Sequence, residues 1–393
     1  MKIGIVLSNP PGYSETFFTS KIKGLQANGM EVLLFVQNKS PLEGGKGSVI
    51  YKAPKAYPNY PIIQTLLTLK VLIGLIPNIQ KVIRFISLER QQKTPVLQIL
   101  KKTYLNSHIL KHKLDWLHFG FATQALGSEF VAKAIGAKMA VSFRGFDIAI
   151  YPLKHPNCYQ LLWKNIDKVH TISDDLLAIA YRLGLPKSIS VKKITPAIDI
   201  KIFNNENKIF QIPKTKIKLL SVARLNWKKG FTYVIRALYF LKEMKVDFEY
   251  TIVGEGIEYE RIAYEVYQLG LQKHIHFVGK KNRDEVVKLY TESHIFIQHS
   301  ISEGFCNAVL EAQAMGLLCI VSNAEGLSEN VNHDQTGYVI PKYQSDALAK
   351  KMIEVINLTE SKKQQISQNA MKRVRNKFTI EQQQQQFINF YKE

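Results

Sequence analysis

Two glutamates, Glu303 and Glu311, bracket seven residues in the segment ISEGFCNAVLEAQAMG, residues 301–316. Were the segment one helix, eight residues would rise ~12 Å and turn the two carboxylates ~80° apart. With Glu303 in a loop and the helix starting near Asn307, the arrangement becomes useful. The first backbone N–H groups of that helix, those of Ala308 and Val309, then have no partner within it and suit an anion such as a diphosphate. Glu311, one turn inside the helix, can accept hydrogen bonds from one diol, and Glu303 from another. Gly304 lets backbone come close to the ligand. A diphosphate between two polyols is a nucleotide sugar. Such a ligand needs cations, and SVARLNWKKGF, residues 221–231, supplies Arg224 and Lys229 in the loop after a strand. Both could hold the diphosphate and stabilise a leaving nucleoside diphosphate, with Lys228 pointing elsewhere. Taken alone, an Arg-x4-Lys pair is more often a solvated surface charge.

These residues must be positioned by a repeating frame. The 393-residue chain suits two domains. Apolar strands at IGIVLS (3–8), EVLLFV (31–36), DWLHFG (115–120), KMAVSF (138–143) and KVHTIS (168–173) are interleaved with helices over Thr16–Asn28, Phe130–Ile135 and Asp174–Leu183. KLLSVA, EYTIVG, IHFVG, IFIQHS and LCIVS repeat the pattern from residue 218 to 322, with helices over Phe231–Met244 and Ile257–Leu269. Strand–helix alternation of this kind predicts parallel α/β sheets. The polar, proline-containing stretch KIFNNENKIFQIPKTK (201–216) marks the boundary. The expected division is 1–205, 206–375, and a closing helix within 376–393 packing back on the first domain. The QQQQQ run of that helix reads as a solvated face.

In this order and spacing, SVARLNWKKG, IVGEG, HFVGKKNRDEV, SEGFCNAVLEAQAMG and GLSENV…TGYVIP resemble the nucleotide-sugar domain of the retaining glycosyltransferase family 4, over about residues 217–345. The resemblance implies a GT-B fold, two facing Rossmann-like domains with the active site in the cleft between them. It makes Arg224 and Lys229 the diphosphate cations, Glu303 the residue on the transferred sugar and Glu311 the residue on the ribose. Gly304, Phe305, Cys306, Asn307, Ala308 and Val309 fall in the donor site, and Val278–Gly279 at the nucleobase. Cys306 departs from a common glycine and would sit beside the sugar; Ala223 departs similarly before Arg224. The first half resembles the family less closely, mostly its polysaccharide-assembly members. In NPPGYSETF (9–17), Pro11 and Gly12 would bring backbone to the cleft, and Ser14-Glu15-Thr16 would cap the helix. DWLHFG and SFRGFD offer His118, Arg144 and Asp147 on the acceptor side, Arg144 standing where relatives often carry histidine. His118 reads equally as a hydrogen-bonded strand-end histidine. ITPAIDIKIF leads to the hinge, with Ala197 where glycine is common. Retention implies a front-face reaction in which the leaving phosphate takes the acceptor's proton. No DxD-like motif is present, so neither metal nor cofactor is expected, only a UDP- or GDP-linked donor.

Composition bounds the remaining partners. Hydrophobic residues at 46% and charged residues at 22% exclude a disordered or fibrous chain. Cys158, Cys306 and Cys319 are widely spaced, with no zinc pattern, and suit a reducing cytoplasm. The opening MKIGIVLSNPPG reads as a buried strand, not a signal peptide. A net charge of +21 implies an anionic partner, either nucleic acid, a phospholipid surface or a phosphorylated substrate, or else reflects a generally lysine-rich proteome; twelve Lys and Arg lie between Gly45 and Lys113 against one acid, Glu89. Within that stretch PIIQTLLTLKVLIGLIP (61–77) is strongly apolar but falls short of the ~20 residues of a spanning helix. It is either a core helix or one lying in a membrane interface beside KVIRFISLER. The favoured expectation is a cytoplasmic enzyme, peripheral at an anionic membrane surface, extending a lipid-linked glycan or polysaccharide such as lipopolysaccharide, capsule or exopolysaccharide. The alternatives are a soluble acceptor, an epimerase of the same fold, a non-catalytic sugar-nucleotide binder, and a nucleic-acid-binding protein. No nucleic-acid motif supports the last, and the glutamate pair opposes a polyanion there.

Overall fold

Strands that are apolar on both faces pair only in parallel here. The computed structural model describes residues 1–11, 16–38, 49–57, 59–205 and 216–393. Its first sheet contains β1 (Lys2–Leu7), β2 (Glu31–Val36), β3 (Val49–Lys52), β4 (Trp116–Phe119), β5 (Lys138–Phe143), β6 (Lys168–Thr171) and β7 (Ser190–Lys193). The second contains β8 (Ile217–Val222), β9 (Phe248–Val253), β10 (Ile275–Phe277), β11 (Ile295–Gln298), β12 (Leu318–Ser322) and β13 (Tyr338–Ile340). Their orders are β3-β2-β1-β4-β5-β6-β7 and β10-β9-β8-β11-β12-β13. β1, β2, β4 and β5 are buried along almost their whole length, as strands covered by helices on both faces must be. In each sheet the order reverses beside the sheet's own first strand, between β1 and β4 and between β8 and β11. Ligands of open parallel sheets bind outside the carboxyl ends of the strands at such a reversal.

The chain divides at Ile194/Thr195 and again at Gln383/Gln384, so one unit is 1–194 with 384–393 and the other is 195–383. These borders replace those expected at 205 and 375. Thr195–Phe203 belongs to the second unit because the Ile198 N–H donates to the Phe378 carbonyl, a bridge joins Ile198 to Thr379, and the Gln383 amide donates to the Thr195 carbonyl. Much of the expected boundary, residues 206–215, lies outside the described residues.

The final residues complete the first core. Phe387, Ile388, Phe390 and Tyr391 are buried among Phe17, Ile22, Trp116 and Ile194. The Trp116 indole N–H donates to the Tyr391 carbonyl (3.2 Å) and the Lys168 ammonium to the Phe390 carbonyl (2.8 Å). Beneath them runs a polar chain: Tyr391 hydroxyl to His118 Nδ1 (2.6 Å), His118 Nε2 to Ser142 Oγ (2.8 Å), Ser142 Oγ to His170 Nδ1 (2.8 Å), His170 Nε2 to the Ile194 carbonyl (2.9 Å). Burial, and then the charge of Lys21, drives both imidazoles well below their usual range, and burial does the same to Lys21 itself. Both imidazoles are therefore neutral, as buried and hydrogen-bonded ones should be.

The segment over residues 61–110 is three helices, Pro61–Ile73, Ile79–Gln91 and Val96–Leu110, the first two joined by a single 3-10 turn and bent by 54°. No residue of Pro61–Ile73 is buried, so the core-helix reading does not hold. Among the described residues no single helix is long and apolar enough to cross a membrane.

Candidate active site

The second unit collects its functional side chains in the loops that follow its strands. Parallel pairing puts all six carboxyl ends on one edge of the sheet. Arg224 and Lys229 follow β8, Val278–Gly279 follow β10, Glu303 follows β11, and Glu311 lies on the helix Asn307–Ala314 behind it. The β8 and β11 loops therefore flank the reversal point. Backbone bonds tie the loops together: Leu225 N–H to the Glu255 carbonyl (2.9 Å), Gly254 N–H to the Gly279 carbonyl (2.9 Å), and Ile301 N–H to the Lys228 carbonyl (2.6 Å). Gly230 makes the closest of these approaches possible. Its φ is +62°, and a Cβ there would lie 2.1 Å from the His299 carbonyl oxygen.

The Lys229 ammonium donates to Glu303 Oε2, and each side chain is only 16% exposed. Burial is the largest influence and would lower the Lys229 pKa, but the charge of Glu303, the Cys306 thiol and the hydrogen bond to Glu303 together outweigh it, and the ammonium sits above its ordinary value. Glu303 is held from behind as well. Its N–H donates to Glu325 Oε2 (2.7 Å), and the Lys342 ammonium reaches Glu325 Oε1 (3.4 Å) and the Ile301 carbonyl (3.2 Å). Arg224 is exposed at the rim.

The helix Arg283–Glu292 closes its N-terminus with a capping box from Asn282 and Glu285. The helix Asn307–Ala314 begins differently: Cys306 stands at the cap position, no side chain caps the turn, and no acid lies in it. Asn307 and Ala308 are half-buried while Gly304, Phe305, Cys306 and Val309 are buried, so the first turn reaches the surface at two residues. The helix start is thus left with partial positive charge and open donors at Asn307 and Ala308, a seat for an anion. Asn330 fixes the turn by accepting from the Cys306 N–H (3.1 Å) and donating to the Cys306 carbonyl (2.9 Å). Phe305 packs on Phe378, ring centroids 5.9 Å apart, which anchors the loop away from any ligand. Burial, and then the charge of Glu303, pushes the Cys306 thiol up to about 12, so it stays neutral. Glu311 Oε2 lies 3.0 Å from the Tyr290 hydroxyl, and burial pushes this carboxyl up to about 7.

Arg224, Lys229, Glu303, Glu311 and the helix start thus come together on one edge, with Val278–Gly279 farther along it, on the loop after β10 and two strands from β8. Sequence reasoning missed Tyr290, Glu325, Asn330 and Lys342. Asn330 falls within the GLSENV motif, but its partner Cys306 is 24 residues away, and Tyr290, Glu325 and Lys342 carry no local pattern that marks them. Among the described residues no group of three or more His, Cys, Asp or Glu side chains could hold a metal ion.

The first unit treats its expected acceptor residues differently. His118 is fully buried in the polar chain described above, so it is the hydrogen-bonded strand histidine and faces no ligand. Asp147 is buried too, and its carboxylate accepts from the N–H groups of Ala122, Arg144 and Gly145, each at 3.0 Å, which shapes the loop after β5. The Arg144 guanidinium lies over the Phe17 ring, 3.8 Å from its centroid. Pro11 is buried, and Gly12 with the Ser14–Glu15 cap lies outside the described residues. What this unit does offer is a cavity of about 700 Å³ at the carboxyl ends of β1 and β2, lined by Lys55, Lys101, Lys102, Gln124 and Asn38 among others.

Residues 203–373 match the family model described as Glycosyl transferases group 1, which leaves more than half of the chain outside the match. Two curated relatives cover longer stretches. One is named a colanic acid biosynthesis glycosyltransferase, WcaL, of Escherichia coli (strain K12), 29% identical over 69% of this chain and 67% of its own length. The other is the amylovoran biosynthesis glycosyltransferase AmsK of Erwinia amylovora, 28% identical over 59% of this chain and 58% of its own. Among solved structures, Anabaena Alr3699/HepE in complex with UDP and glucose matches 99% of this chain and 98% of its own with a TM-score of 0.71 at 15% identity. At that identity the likeness shows the fold: two parallel-sheet α/β units of the GT-B class.

Proposed function

We propose that this chain is a retaining glycosyltransferase that moves a hexose from a UDP- or GDP-linked sugar to a lipid-linked or polysaccharide acceptor in cell-surface glycan assembly. In this reading the enzyme needs no metal and works in the cytoplasm, peripheral at an anionic membrane surface. The observation that carries it is the Lys229–Glu303 pair beside the uncapped start of the helix Asn307–Ala314. The family match over 203–373 and the naming of the curated relatives support the same reaction class.

The chemistry follows from the charges. The helix start and Arg224 take the donor diphosphate, and its arrival draws the Lys229 ammonium from Glu303 toward the phosphate. Glu303 then accepts hydrogen bonds from the sugar and Glu311 from the ribose. As the bond from the anomeric carbon to the phosphate oxygen breaks, negative charge grows on that phosphate, where fixed donors stabilise the transition state most. An acceptor hydroxyl adds to the same face of the sugar and passes its proton to the departing phosphate. A glycoside with unchanged anomeric configuration and a nucleoside diphosphate result.

The test is calorimetry of the full chain with UDP, GDP and their sugars, with and without EDTA, followed by a transfer assay. One nucleotide should bind irrespective of EDTA, and the product's anomeric configuration by NMR should match the donor's. Lys229→Ala should slow transfer by about 10²–10³, the cost of one transition-state donor. Failure to bind any of these nucleotides would overturn the reading.

A further inference from the structure

The helix Pro61–Ile73 turns its apolar side to solvent. Ile62, Leu66, Leu69 and Ile73, at spacings of four, three and four, form one stripe along it and are 52–76% exposed. Past the bend the stripe continues through Ile76, Ile79 and Ile83, again at spacings of three and four and again largely exposed. A run of this length is far more than the scattered apolar residues of ordinary surfaces, and it marks an interaction site. Opposite it, the helix Ile79–Gln91 is anchored by buried Val82 and Phe85, so the exposed side is not a misplaced core.

Charge identifies the occupant. Lys70, Arg84, Arg90 and Lys93 are exposed around the stripe. Glu89, the sole acid between Gly45 and Lys113, is buried and paired with Lys102 at 2.9 Å. A second copy of this chain would bring like charge to like charge, which opposes self-association through this face. We propose that the bent helix pair is a docking surface for an anionic lipid bilayer, lying in the interface with its isoleucines among the acyl chains and its cations at the headgroups. The helices are short, thirteen residues or about 20 Å each, against a hydrocarbon core of about 30 Å, and the 54° bend suits a pair lying flat. This deepens the reading of a lipid-linked acceptor and rests on it for its purpose, since docking would bring the enzyme to such an acceptor.

The experiment floats the full chain with phosphatidylcholine vesicles, with and without phosphatidylglycerol, at low and raised salt. Binding is expected only to the anionic vesicles and should weaken with salt. Ile62→Asn with Leu66→Asn and Ile73→Asn, and separately Arg84→Glu with Arg90→Glu, should each lower binding at least about tenfold. Thermal midpoint and nucleotide affinity should stay unchanged, because these side chains are exposed and lie in the other unit from the donor site. Three outcomes overturn the proposal: no vesicle binding by wild type, equal binding by the variants, or self-association or capture of a protein that the variants abolish. Nucleotide binding measured on the same samples reports separately on the transferase reading.

Discussion

Glu311 has its proton poised near neutrality. Burial is the larger cause, with the Tyr290 hydroxyl and the Arg283 charge pulling the other way, and the carboxyl lies at about 7 against an ordinary 4.5. The folded chain therefore holds this proton more tightly than the unfolded chain. Stability from this group is fully present below about 4.5 and is lost as pH rises toward 7, then levels off. The drop should be on the order of 3 kcal/mol, and Glu311→Gln should flatten it in denaturant titrations at a series of pH values. Nucleotide affinity should run the opposite way across the same window. A ribose diol donates to the ionised carboxylate, so wild type should bind more tightly as pH rises through 7, while the glutamine variant should show no such slope by calorimetry. A pH-independent wild-type affinity would take Glu311 off the ribose.

At the scale of elements, the site depends on how closely two loops approach. Gly230 sits where the β8 loop meets the β11 loop, and Gly230→Ala forces a methyl against the His299 carbonyl oxygen in a backbone conformation that disfavours it. We expect a loss of roughly 1–3 kcal/mol in thermal unfolding, and with it weaker nucleotide binding, because the same shift displaces Lys229 from Glu303. The four central residues were legible in the sequence, since two short local patterns, each after an apolar strand, carry them. Lys342 and Glu325 were not: they approach Glu303 only because β12 lies beside β11 and β13 beside β12, and strand order leaves no trace in periodicity. His118 misled for the same reason. A polar residue in an apolar strand looks functional until its partner appears, and that partner, Tyr391, is 273 residues away. The helices of 61–110 were ambiguous because an apolar stripe has one spacing whether it meets a core or a membrane.

Taken whole, the molecule is two parallel-sheet units, a plan the strand–helix alternation foretold, but the borders between them were not legible. They depend on single backbone bonds such as that from Ile198 to Phe378, not on composition. Deleting Gln384–Glu393 tests the assignment of those residues to the first unit. It removes four large buried side chains, each stabilising by about 1.5–3 kcal/mol, a sum comparable to the whole stability of an ordinary domain. The shortened chain should lose the protease resistance of residues 1–194 while 195–383 stays protected; equal protection of both would mean that the last helix adds little.

The same interleaving has a consequence for biosynthesis. The ribosome completes residue 194 and must then make the 189 residues from Thr195 to Gln383 before the closing segment of the first unit exists. At usual elongation rates that is roughly 10–40 s. Throughout it, the apolar bed that will receive Phe387, Phe390 and Tyr391 waits uncovered, while the second unit, whose own residues are contiguous, is free to fold first.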